Sequence, residues 1–166
     1  MSIVTDIAKT WRAPRQGLRR RLAGADEVMA IVTVMLGCLM IFVSQWPVHA
    51  RAAYLDPEVP LGGRLAGAGV ALFMVLPVLL YGLAALSRLI VGFFGAKGSY
   101  FGARMALFWA LLAASPLWLL NGMSVGFVGP SPASTITGIA ALGVFGIFWL
   151  AGLIETQFPG KGTAHV

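Results

Sequence analysis

Six carboxylates, two histidines and one cysteine are all the acid–base and metal-binding chemistry that this chain of 166 residues carries. Their spacing defeats most uses. No Asp or Glu lies between Glu58 and Glu155, and the histidines, His49 and His165, stand far apart. A metal site needs three or four ligands converging on one point, and no such set is within reach. Ser44, Ser87, Ser115 and Ser124 have no candidate base at membrane depth to activate a hydroxyl as a nucleophile, His49 standing at a span edge. Cys38 is the only thiol, so neither an internal disulfide nor a cysteine-based metal site is available. There is no strand followed by a glycine-rich loop to cradle phosphate. The inventory argues against an enzyme, and no cofactor is expected. A proton-coupled transporter is disfavoured for the same reason, because relays use intramembrane carboxylates or histidines.

The elements around these residues explain the scarcity. Met105 to Ile154 is a run of fifty residues without a charged side chain, and Val28–Ala50 and Leu65–Ser87 are charge-free as well. A membrane-crossing helix needs roughly 18–20 apolar residues. The chain is 58% hydrophobic and 11% charged, against about 25% charged in a soluble domain. The reading is an all-α integral membrane bundle of about four transmembrane helices, over residues 28–46, 65–94, 100–121 and 134–154. A basic segment, residues 1–27, precedes the bundle, and a polar tail, residues 155–166, follows it. Asp26 suits the N-cap of the first span and Ser134 that of the last. Pro47 ends the first span, with Trp46 at an aromatic belt. Pro77 and Pro116 fall inside spans, as static kinks rather than hinges. The first window is too long and starts too late for a cleaved signal peptide.

Residues 2–23 read as a surface helix. Ile3, Ile7, Trp11, Leu18 and Leu22 share one face, and Lys9, Arg12, Arg15, Arg19 and Arg20 the other. Pro14 breaks it into two short helices near Ala13. Such a segment lies at an anionic leaflet, with Trp11, Arg12, Arg15, Arg19, Arg20, Arg21 and Trp46 as the membrane-interface residues. Of the twelve basic residues only Arg51 and Arg64 fall between the first two spans. Lys9, Arg12, Arg15, Arg19, Arg20 and Arg21, with Arg88, Lys97, Arg104 and Lys161, belong to the opposite side. The positive-inside rule therefore puts both termini in the cytoplasm. Arg88 is expected at a span end, snorkelling to the surface, and Asn121 as hydrogen-bonding glue between helices.

Small residues recur every four positions, at Ala106, Ala110 and Ala114 and at Gly122 and Gly126. That spacing lets helices approach closely. It serves either packing within the bundle or docking of another membrane protein. The leading functional reading is a non-enzymatic accessory subunit, scaffold or assembly factor that contacts other integral membrane proteins and the lipids of an anionic cytoplasmic leaflet. Nucleic acid is not an expected partner. The alternative is a small transporter or channel, possibly oligomeric.

Several stretches carry a family resemblance. They are Trp11-Arg12-Ala13-Pro14-Arg15, Asp56-Pro57-Glu58-Val59-Pro60-Leu61, and Lys97-Gly98-Ser99-Tyr100-Phe101-Gly102-Ala103-Arg104 leading into Ala106-Leu107-Phe108-Trp109 and Ala114-Ser115-Pro116. In these the chain resembles the short bacterial members of the Yip1-domain family. The resemblance implies a polytopic helical protein of the bacterial inner membrane with a cytoplasmic N-terminal region and no catalytic residues. Eukaryotic relatives take part in vesicle trafficking and bind small GTPases or other membrane proteins. The family commonly has five spans where four are legible here, so either the fifth is missing or the second window or the fifty-residue one hides a further re-entrant element.

Overall fold

Asp26 opens the first long helix. Its extended backbone and its carboxylate, which accepts a 2.8 Å hydrogen bond from the Met29 amide, satisfy one of the donors that a helix start leaves unpaired. The computed structural model describes residues 3–22 and 24–158. Two short helices come first, α1 (Ile3–Arg12) and α2 (Pro14–Leu22), meeting at Ala13. The membrane elements follow: α3 (Glu27–Leu55), α4 (Leu61–Val70), a π-helical turn (Ala71–Val75), α5 (Leu76–Phe93), α6 (Tyr100–Ala113), α7 (Ser115–Val128) and α8 (Pro132–Gln157). Among the described residues every regular element is helical, and the architecture is an all-α bundle. Three continuous stretches are long and apolar enough to cross a membrane: α3, α4 through α5, and α8. The fourth is the pair α6–α7, bent by 44°.

The prolines act differently at each site. Pro47 does not end α3, which runs on to Leu55. The ring costs one donor, but it also packs on α7, where a side chain at Gly126 would strike it. Trp46 lies 19 residues past Glu27, about 28 Å along the axis, so it still marks one hydrocarbon thickness while the helix continues beyond. Ahead of the buried Pro77 the helix widens by one residue, and the Leu76 amide donates to the Ala71 carbonyl five back. Such π-turns are a recognised cause of helix bending. Pro116 sits in the first turn of α7, where its missing N–H is least costly, and the helix breaks at Ala114.

The expected span limits shift accordingly. The third span continues past residue 121 to Val128, where Gly129, at φ +87°, stops it. The N-cap of α8 is Ser131 rather than Ser134: each hydroxyl caps the other's amide, and the helix starts at Pro132. Its far end passes residue 154 and reaches Gln157. The final residues of the expected tail, 159–166, lie outside the described residues.

Packing partners give the direction of each element. Along α3, Gly37, Ser44 and Pro47 lie against Leu111, Gly122 and Gly126. Both chains advance together, so α6–α7 runs parallel to α3 along its whole course and is one broken span, not a re-entrant loop. Against the same span α8 runs the other way: Thr137 meets Asn121, Gly152 meets Ala106, and Gln157 meets Gly98 and Gly102. So does α5, with Tyr81 on Phe108 and Arg88 on Tyr100. The result is an up-down-up-down bundle with α6 at its centre. Every residue from Met105 to Ala114 is buried. Lipid tails are as apolar as leucine, so close packing and hydrogen bonds hold this centre rather than the expulsion of water.

Candidate membrane-interface site at the N-terminal helical hairpin

A polar cluster forms where α1 and α2 fold onto α6 and α8. Thr10 is its pivot. Its hydroxyl donates to the Asp6 carbonyl at 2.8 Å and accepts from the Trp109 indole N–H at 3.1 Å. Gly17 of α2 passes so close that any side chain there would strike the Thr10 hydroxyl. Asp6, although charged, is buried, and Arg21 Nη2 lies 2.9 Å from its carboxylate. The Arg21 guanidinium also sits 5.0 Å over the Trp109 ring, a cation–π contact. No acceptor faces its Nε, which is shut off from solvent.

Trp11 reaches further along α6. Its indole N–H donates to the Ala113 carbonyl at 3.0 Å. That carbonyl is free because the break at Ala114 diverts the Leu117 amide to Ala114. The side chain of Trp11 thus satisfies an acceptor that the kink leaves over, which matters where water is absent. Its ring stands edge-on to Phe148 of α8, centroids 5.7 Å apart. Leu18, 2% exposed, packs close to Gly152 of α8, which also lies against Ala106. Arg19 lies 3.5 Å from Glu155.

The apolar face of the segment is therefore spent largely on the protein. Of the residues placed at the interface, Arg12, Arg15 and Arg20 are exposed, as is Lys9, and Arg19 is held to Glu155. Arg21 departs from that expectation. It is turned inward, and its side chain keeps 18% of its exposure. Trp46 is half exposed on α3, edge-on to Phe42. Arg88, in the last turns of α5, donates from Nε to the Gly98 carbonyl at 2.8 Å and sits over Tyr100. Arg104 pairs with Glu27, tying α6 to the start of α3.

The remaining polar groups are engaged locally. Thr33, Ser44 and Ser87 each donate to a carbonyl three or four residues back. Asn121 accepts from Thr137 at 3.0 Å across α7 and α8. The small residues Ala106, Ala110 and Ala114 are buried inside the bundle, and Gly122 and Gly126 face Ser44 and Pro47 of α3. Among the described residues no three of His, Cys, Asp and Glu gather into a metal-binding group. The hairpin cluster contains no nucleophile beside a base. What it offers is an exposed cationic face and fixed hydrogen-bond donors, which suit phosphate and carboxylate groups.

Asp6, Thr10, Trp109 and Gln157 are site residues that sequence reasoning passes over. Asp6 and Thr10 do leave a signal, an acid and a hydroxyl on the same face of a basic helix. Gln157 leaves none, although it is fully buried and donates to the Ser99 carbonyl at 3.1 Å. The fold and this cluster define the class: a multi-pass helical membrane protein with a basic N-terminal hairpin docked on its central helix. No family model, no curated protein and no solved structure matches the chain, so the resemblance to Yip1-domain proteins has no second source of support.

Proposed function

We propose that the chain is a non-enzymatic protein of the bacterial inner membrane, with both termini cytoplasmic, that serves other integral membrane proteins as accessory subunit, scaffold or assembly factor. The observation that carries this reading is how the polar groups within the spans are used. Thr33, Ser44, Ser87 and Thr137 donate to the chain's own carbonyls or to Asn121 Oδ1, and the unpartnered indole N–H groups of Trp118 and Trp149 are shut off inside the bundle. What the bundle has left to offer a partner is surface. The small-residue stripes are consumed inside the bundle, so docking falls to the outward faces of α5 and α8, where Leu79, Leu86, Ile139 and Leu142 are exposed. At the basic end, Lys9, Arg12, Arg15 and Arg20 suit an anionic leaflet.

The test is a pull-down of the full chain from native membranes in mild detergent, with mass spectrometry of the eluate. A stoichiometric membrane protein in the eluate supports the proposal. An eluate holding this chain alone, together with ion flux through liposomes carrying the purified protein, overturns it in favour of a small channel or transporter.

A further inference from the structure

A crevice of about 270 Å³ opens between the N-terminal hairpin and the first three turns of α3. Its lining changes character with depth. Asp26 stands at the helix start, and Val28, Val32 and Leu36 follow a turn apart, reaching about 15 Å from Asp26. Arg21 and Trp109 form part of the opposite wall. A polar top over apolar walls, beside the helix start where charges cease, is the profile of a phospholipid at a leaflet surface. The charges narrow the choice. Arg21 is held in place by Asp6 and by the Trp109 ring, and with Nε and Nη2 shut off from solvent it has Nη1 left for a head group. Asp26 is exposed and commits Oδ1 to the Met29 amide. An anionic head group would add negative charge beside Asp6 and Asp26, whereas a zwitterion adds none.

We propose that this crevice seats one phospholipid with a primary ammonium head group, a phosphatidylethanolamine, its phosphate on Arg21, its ammonium on Asp26 and one acyl chain along Val32 and Leu36. A choline head group fits the charges but has no N–H to donate to the Asp26 carboxylate. The proposal rests on the reading of the basic end as lying at a leaflet, not on protein docking, so a pull-down that returns the chain alone leaves it standing.

The experiment is native mass spectrometry of the delipidated full chain with phosphatidylethanolamine, phosphatidylcholine and phosphatidylglycerol of identical acyl chains. The ethanolamine lipid should bind at 1:1 about threefold better than the others, which is what one part-exposed ion pair can supply. Asp26→Asn should remove that preference while still capping α3, since asparagine caps as well as aspartate. Val32→Trp, which fills the apolar part and leaves both charges, should lower binding of all three lipids. Glu58→Gln, in the exposed loop between α3 and α4 at the other end of the bundle, should change nothing. Equal binding of the three lipids, a preference for the glycerol lipid, a preference that survives Asp26→Asn, or binding indifferent to Val32→Trp each overturns the proposal.

Discussion

At Gly122 and Gly126, α7 lies so close to α3 that a β-carbon at either position would overlap backbone atoms, those of Ser44 at the first and of Pro47 at the second. Backbone cannot rotate aside as a side-chain tip does, so Gly122→Ala must push the two helices apart. Overpacking a filled core costs about 1–3 kcal/mol. The upper end applies here, because a gap of 0.5–1 Å along the crossing also forfeits roughly a quarter to a half of each dispersion contact. Replacing glycine by alanine in a helix recovers about 0.8–1 kcal/mol, leaving a net loss of about 2 kcal/mol. Gly143, on α8, has open space where its β-carbon would go, so Gly143→Ala should stabilise by up to about 1 kcal/mol. The double variant Gly122→Ala/Gly126→Ala should lose distinctly less than the sum of the singles, because one separation of the helices relieves both overlaps. Unfolding of the purified protein in mixed micelles of rising dodecyl sulfate fraction measures all four. Equal stabilities for Gly122→Ala and Gly143→Ala, or strict additivity at 122 and 126, would refute the reasoning. A stripe that served an external partner would leave the isolated protein's stability untouched.

The same titration tests the Asp6–Arg21 pair. Asp6→Asn or Arg21→Gln alone should each cost about 3 kcal/mol, since each leaves a charge shielded and unpaired, and the double change should cost less than their sum; simple addition of the two losses would contradict the pairing. Trp11→Phe keeps a ring against Phe148 but strands the Ala113 carbonyl, a loss of about 1–3 kcal/mol. It should loosen the hairpin and speed tryptic cleavage after Arg19, Arg20 and Arg21, and an unchanged cleavage rate would mean that the indole hydrogen bond does not hold the segment. Orientation is read with an impermeant maleimide on intact cells, Cys38 being buried. A cysteine replacing Glu58 should label directly and one replacing Lys97 only after permeabilisation, and the reverse pattern would overturn the cytoplasmic placement of the termini.

How far the sequence spoke follows from what lipid leaves visible. Charge-free windows mark the spans because a charge in hydrocarbon is expensive, and Asp26 marks the start of α3 because a helix start needs an acceptor. Pro47 misleads, because its cost was counted and its packing on Gly126 could not be. Helix facing is the larger gap. In water, polar residues would mark the outward side of α6. Here the middle stretches of α6 and α8 are both apolar all round, and such helices hide their facing, yet α6 is buried at every residue from Met105 to Ala113 while α8 keeps one side exposed. The glycines are equally silent: Gly122 and Gly143 are alike in sequence, and only the partner helix distinguishes them.

The basic hairpin shows the same limit from the other side. Its amphipathic pattern gives one apolar and one charged face, but periodicity does not say whether lipid or protein covers the apolar face. The deciding facts are two polar atoms elsewhere in the chain. The Trp109 indole N–H and the Ala113 carbonyl sit on a buried helix with no partner from their own span, and α1 supplies Thr10 to the first and Trp11 to the second. An unsatisfied buried donor or acceptor costs about 1–3 kcal/mol, so α6 needs the hairpin as much as the hairpin needs a surface. The segment is thereby a structural part of the bundle, and its exposed arginines are displayed from a fixed platform rather than from a loose tail.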